Sequence, residues 1–120
     1  MSIKINALWT LLILLLFMTQ CAVHHSESQI QFGIKAAKND LWDEAIFRWE
    51  KVIQSNPNSA AAHNNLAVAY ERKGDFKKAG MEYEKALQLS PKNEQIQSNY
   101  QKFKEKITTK KKEELSDEKK

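Results

Sequence analysis

The chain has few side chains suited to chemistry. His24 and His25 stand together in the polar run HHSES, and His63 stands alone. A metal needs three or four convergent ligands, and an adjacent pair with no third donor nearby does not supply them. Most carboxylates sit beside lysines, as in Glu50-Lys51 and Glu84-Lys85, which is the pattern of a solvated helical face rather than of an acid and base set apart for proton transfer. No phosphate-binding loop or dinucleotide fingerprint is present, and no nucleophile is paired with a base at helical spacing. These exclusions point away from an enzyme and away from any cofactor or metal. Cys21 is the one remaining reactive group. As the only cysteine it cannot form an internal disulfide, so its place directly after an apolar run calls for another role.

The elements around these residues are helical in composition. At 120 residues there is room for one small domain, and three glycines and two prolines supply little turn material, whereas Ala, Leu, Lys, Glu and Gln are abundant. The formal charge of +4 belongs to the ends. Ten basic and ten acidic side chains cancel between Ala22 and Tyr100; Lys4 and the tail from Gln101 carry the excess. A folded part without net charge gives no footprint for specific nucleic-acid binding.

Lys4 precedes a nearly apolar run from Ala7 to Met18, which is 12 residues long. That length suits the apolar region of a signal peptide better than the roughly 20 residues of a membrane-spanning helix. Counted more generously, from Ile5 to Val23, the stretch also serves as an uncleaved anchor, with Lys4 reaching for the interface. The run LLILLLFMTQC, ending at a cysteine, resembles a bacterial lipoprotein signal. The resemblance implies cleavage after Gln20 and acylation of Cys21, although the residue before the cysteine is usually small. Ala22 lacks the acidic retention signal of that analogy, which leans toward an outer membrane. Either reading places the rest of the chain at a cell or outer membrane, facing periplasm or exterior, with the lipid anchor favoured over the transmembrane one.

The folded part is a duplication. NDLWDEAIFRWEKVIQSNPNS (Asn39 to Ser59) lies over KGDFKKAGMEYEKALQLSPKN (Lys73 to Asn93) with Trp42 on Phe76, Ala45 on Ala79, Trp49 on Tyr83 and Pro57 on Pro91. Each pair is 34 residues apart, and the register continues upstream with Phe32 on Leu66 and Gly33 on Ala67. Each unit reads as two helices, with breaks at Asn39-Asp40 and Gly74-Asp75 and a proline after the second helix. Gly74 adopts a left-handed turn easily, whereas Asp40 reaches it less easily; Asp75 is placed to cap the second helix of its unit. Ile96, Tyr100, Phe103 and Ile107 make one apolar stripe on a further helix that starts after Asn93, as the exposed end of a stack requires.

A 34-residue helix-turn-helix with this pattern resembles the tetratricopeptide repeat (TPR). The second unit, from Ala60, matches at Leu66, Ala67, Tyr70, Ala79, Tyr83, Ala86 and Pro91, and fails at His63. The first, from Ser26, matches more loosely at Phe32, Gly33, Ala45, Trp49 and Pro57. The expected organisation is a signal peptide or anchor over 1–20, the acylated Cys21 and a linker over 21–28, and an all-α TPR domain over 29–107. That domain comprises repeats at about 26–59 and 60–93 and a capping helix at about 94–107. A mobile lysine-rich tail over 108–120 completes the chain. Ser26 or Ser28 is expected to cap the first helix, Ser26 forming a capping box with Gln29.

The resemblance implies a concave ligand surface made by the first helix of each pair. It maps to Ile30, Gln31, Ile34 and Lys38 in one unit, to Asn64, Asn65, Val68 and Arg72 in the next, and to Asn99 and Lys102 on the capping helix. A lysine–asparagine clamp for carboxylates is not expected, because Ile30 and Ile34 take places its polar residues would hold. The expected function is a membrane-tethered protein–protein interaction scaffold or adaptor in a cell-envelope complex, binding a protein or peptide partner. Two alternatives stay open: a dedicated chaperone or accessory subunit of an envelope enzyme or transporter, and an anionic-surface binder acting through Lys102 to Lys112. Two repeats fall short of the three usual for an independent array, so a homodimer or a larger complex is also expected.

Overall fold

The computed structural model describes residues 7–117, and for residues 7, 8 and 17–24 it describes the backbone alone. Lys4 and the side chain of Cys21 therefore lie outside the described residues. Five helices succeed one another: α1 (Ala7–Lys38), α2 (Trp42–Ser55), α3 (Ala60–Arg72), α4 (Phe76–Leu89) and α5 (Glu94–Asp117). Each helix packs on its sequence neighbour, and α3 also touches α1 and α5. The result is an all-α stack of two helix-turn-helix units closed by α5.

Helix ends repeat with the sequence. The turns of the two units pass through Asp40 (φ 59°) and Gly74 (φ 80°), the left-handed conformation that glycine adopts without a Cβ penalty. Asp75 then caps α4, its carboxylate accepting from Lys78 N at 3.1 Å. The equivalent residue in the first unit is Leu41, and α2 has no side-chain cap. Ser59 and Asn93, also 34 apart, accept from Ala62 N at 3.3 Å and from Ile96 N at 3.1 Å.

Two boundaries differ from the sequence reading. Residues 21–28 are not a linker: α1 runs unbroken from Ala7 to Lys38. The segment holds no glycine or proline to stop a helix, and its polar groups do not cap one. The Ser28 hydroxyl donates back to the His25 carbonyl at 3.0 Å, and Gln29 Oε1 accepts from Arg48 Nη1 at 3.2 Å. At the other end α5 continues to Asp117, ten residues past its last core contact at Ile107, with every side chain from Thr108 exposed. Lysine and glutamate are good helix formers, and apart from Lys110, 4.6 Å over the centre of the Phe76 ring, propensity sustains this part of the helix.

The core has two parts. Ile30, Ala36, Ala45, Trp49, Val52, Ala62, Leu66 and Ala69 join α1, α2 and α3. Ala67, Ala79, Tyr83 and Phe103 join α3, α4 and α5. Ala45 and Ala79 are fully buried and let helices approach, while Trp49 and Tyr83 fill the space four residues on. Gly33 makes the first seat possible: a Cβ built there would fall 2.6 Å from Cε2 of Trp49. The indole instead donates from Nε1 to the Ile30 carbonyl at 3.2 Å.

Tyrosines tie one helix to another along the edges. Tyr70 donates to Glu50 at 2.9 Å, Tyr83 to Glu71 at 3.0 Å and Tyr100 to Glu84 at 3.2 Å. Glu50 and Glu84, which look like solvated partners of the adjacent lysines in the sequence, are thus inter-helix acceptors. Burial, then the bond to Glu50, pushes the Tyr70 phenol up to about 12; burial and Glu71 raise Tyr83, and burial and Glu84 raise Tyr100.

The two glycine positions separate steric from conformational cost. Gly33→Ala is expected to lose about 2–3 kcal/mol in urea unfolding, because the indole has no room to retreat. Gly74→Ala meets no atom within 4 Å and should lose only about 1 kcal/mol through its φ. The opposite order would contradict this packing. For Tyr70 the folded state favours the neutral phenol, so its contribution is complete below the ordinary value of 10.0 and is lost as pH climbs from there towards 12; the other two tyrosines act in the same direction. Unfolding midpoints measured from pH 8 to 12 should hold and then fall above pH 10, and Glu50→Gln should make that fall smaller.

Candidate concave groove

Because α1, α3 and α5 lie side by side, residues on the inner faces of three helices meet in one groove. A pocket of about 260 Å³ is lined by Ile34, Lys38, Asn65, Val68, Gln95 and Asn99 over a floor of Ala37, Trp42 and Trp49. A second hollow, of about 450 Å³, adjoins it and adds Glu27, Ile30, Gln31 and Ala61. Ile34, Asn64, Asn65 and Gln95 line both, so the two are parts of one surface.

The polar part of the groove is a chain of amides. Asn99 Nδ2 donates to Asn64 Oδ1 at 3.1 Å, and Asn64 Nδ2 reaches Asn65 Oδ1 at 3.5 Å. Asn64 is buried by this arrangement, whereas Asn65 and Asn99 stay half-buried. Among the described residues no protein group takes up Asn65 Nδ2 or Asn99 Oδ1, which leaves a donor and an acceptor directed at whatever lies in the groove. Lys38 is the one charged residue of the smaller pocket. The surface suits an extended or helical segment whose backbone bonds to the amides while an apolar side chain rests on Ile34 and Val68.

Of the residues expected here, Ile34, Lys38, Asn64, Asn65, Val68 and Asn99 come together in the pocket, and Ile30 and Gln31 in the adjoining hollow. Ile30 is only 8% exposed and belongs mainly to the core. Arg72 and Lys102 line neither hollow. Arg72 lies over the Trp42 ring, 5.8 Å from its centre, and 4.0 Å from Asp40. Trp42 and Trp49, which the sequence offers only as repeat positions matching Phe76 and Tyr83, floor the groove as well.

His63, which the sequence presents as an ordinary surface or groove residue, is instead buried structure. Its Nε2 lies 2.9 Å from the Pro57 carbonyl and its Nδ1 lies 2.6 Å from Glu82. The contact recurs: Gln97, one repeat later, donates from Nε2 to the Pro91 carbonyl at 2.7 Å. The residue at this position therefore ties α3 and α5 each to the proline turn before it. Among the described residues, no group of three or more His, Cys, Asp or Glu could hold a metal.

Comparison with known proteins agrees with this architecture. Residues 32–115 match the profile of a family described as Domain of unknown function (DUF6340). Over 57 residues the chain is 42% identical to protein O-mannosyl-transferase TMTC4 of Mus musculus, covering 48% of this chain and 8% of that protein. Over 74 residues it is 31% identical to type IV pilus assembly protein PilF of Pseudomonas aeruginosa, covering 62% of this chain and 29% of that protein. The chain thus spans less than a third of either relative's length. Among solved structures, the Arabidopsis OM64 TPR domain superposes with a TM-score of 0.67 at 23% identity, covering 75% of this chain and 74% of that one. The fold is that of a TPR array.

His63→Ala leaves the Pro57 carbonyl and the Glu82 carboxylate without their partner and should cost about 1–3 kcal/mol in chemical unfolding. His63→Gln, which can reach the carbonyl as Gln97 does, should recover part of that loss. Equal losses for the two variants would show that the carbonyl contact contributes nothing.

Proposed function

The chain belongs to the DUF6340 family, and from that membership and its TPR stack we propose a membrane-tethered adaptor that holds a protein partner of a cell-envelope complex in the concave groove. The observation that carries the reading is the groove itself, half-open and nearly uncharged, with an uncommitted amide donor and acceptor beside Ile34 and Val68. A deep reactive cleft would call for different residues.

Tethering is supported by the apolar end of α1. Trp9 and Leu11 to Leu16 are exposed, from 45% to 65%. Among the described residues no helix is long and apolar enough to cross a membrane. A lipid on Cys21 is preferred to a spanning anchor because the apolar run before it, Ala7 to Met18, is only 12 residues long. Each buried CH₂ contributes about 0.8 kcal/mol, so two or three acyl chains hold firmly where one is marginal. A relative named for type IV pilus assembly is in keeping with a role in building an envelope structure.

Two measurements test this. The intact mass of protein extracted from membranes should equal Cys21 to Lys120 with a diacylglyceryl group, with or without one further acyl chain; the full-length mass would remove the lipid anchor. A photo-crosslinking residue at position 68 should capture a protein at fixed stoichiometry, and Asn65→Ala should reduce the capture about tenfold. Capture that depends on the tail beyond residue 107, and is indifferent to Asn65, would overturn the groove.

A further inference from the structure

The stack covers the same helix face twice and leaves it open once. On α3 this face is Ala62, Leu66 and Ala69, at most 1% exposed and packed on α2. One repeat later, on α5, it is Ile96, Tyr100 and Phe103, where Phe103 lies 5.0 Å from Tyr83 of α4. On α1 the equivalents are Ser28, Phe32 and Lys35. Among the described residues no helix covers them, and Phe32 is 57% exposed.

A cation marks the end of each face, and it too repeats. Arg72 lies over Trp42, the first residue of α2, and Lys106 over Phe76, the first residue of α4, each 5.8 Å from the ring centre. Each also meets a carboxylate, Arg72 at Asp40 and Lys106 at Glu71. The third cation in this register is Lys38. Among the described residues it has neither a ring nor a carboxylate partner.

Terminal repeats usually turn a polar face outward. Here Ser28 and Lys35 obey that rule, but Phe32 does not. It borders a shallow hollow of about 420 Å³ whose rim includes Gln31 and Lys35. The Arg48 guanidinium sits 5.8 Å from the ring centres of both Phe32 and exposed Phe47. Lys35, Lys38, Arg48 and Lys51 outnumber Glu27 and Glu44 on this flank, and both acids are already engaged, by Gln31 and Arg48.

We infer that this flank receives a third helix: an acidic amphipathic helix of a partner protein, with an aromatic residue at its first turn and carboxylates beside it. The two internal junctions supply the template. The aromatic residue stacks on Lys38, a carboxylate pairs with Lys38 or Lys35, and an apolar side chain fills the hollow at Phe32. This surface adjoins the concave groove and shares Lys38 and Gln31 with it, whereas Phe32 and Lys35 line neither groove hollow and so report on this flank alone.

The template also supplies the probe. A fluorescent peptide of residues 39–56, the α2 segment that covers α3, carries Trp42 and has four acids against two bases. Added to the full chain in neutral micelles, it should bind saturably. Phe32→Ala and Lys35→Glu should each weaken binding about tenfold, whereas Lys38→Arg should retain it. These side chains are exposed, so thermal melts followed by circular dichroism should not move. No saturable binding overturns the inference, as does binding indifferent to Phe32 and Lys35, which would mean that the peptide exchanges for the chain's own α2 or enters the groove. Failure to bind the peptide, with Lys35-dependent binding to phosphatidylglycerol vesicles instead, reassigns the flank to an anionic membrane and also overturns it.

Discussion

The first repeat depends on an indole laid against a bare stretch of backbone. Trp49 can donate to the Ile30 carbonyl only because residue 33 has no Cβ, and with the ring in that place α1 and α2 close to the distance that buries Ala36 and Ala45. That closure sets where α3 can lie, since Leu66 and Ala69 pack into the same cluster. The second repeat meets the need differently: Tyr83 fills the equivalent space, bonds to Glu71, and is closed from the far side by Tyr100 and Phe103. A unit of two helices cannot cover its own apolar face, so each depends on the next.

Polar contacts inside the units keep the same 34-residue register as the apolar ones. Within each unit a residue of the first helix meets one in the second at the same repeat positions, Gln29 with Arg48 and His63 with Glu82. In that pair the residues differ while the places stay the same. Between units, Glu50 and Glu84 each accept from a tyrosine of the following helix; here the acceptors are 34 apart and the donors, Tyr70 and Tyr100, only 30, so the acceptor place is kept and the donor shifts by about one turn.

How much of this is legible in the sequence depends on how far each partner lies along the chain. The 34-residue offset, the two helices per unit, the caps at Asp75 and Asn93 and the stripe over α5 are local patterns, and the structure has them. The unbroken helix through residues 21–28 is not legible, because a polar run beside an apolar one resembles a linker unless the absence of a breaker is weighed. His63 is misjudged from sequence since its partners, Pro57 and Glu82, come from a turn and another helix. The amide chain from Asn64 to Asn99 spans 35 residues and depends on α5 lying beside α3, which spacing alone does not show. The groove residues drawn from the family pattern converge except at Arg72 and Lys102; Arg72 is diverted by the ring of Trp42.

The unbroken α1 has a mechanical consequence. A helix advances about 1.5 Å and turns about 100° with each residue. Between Cys21 and the first core residue, Ile30, the backbone stays helical, so no joint absorbs rotation. One residue inserted before Glu27 would leave the contacts of the stack intact and swing the whole groove about a third of a turn around the α1 axis. The segment works as a crankshaft, and its length in residues sets the compass bearing of the groove relative to Cys21.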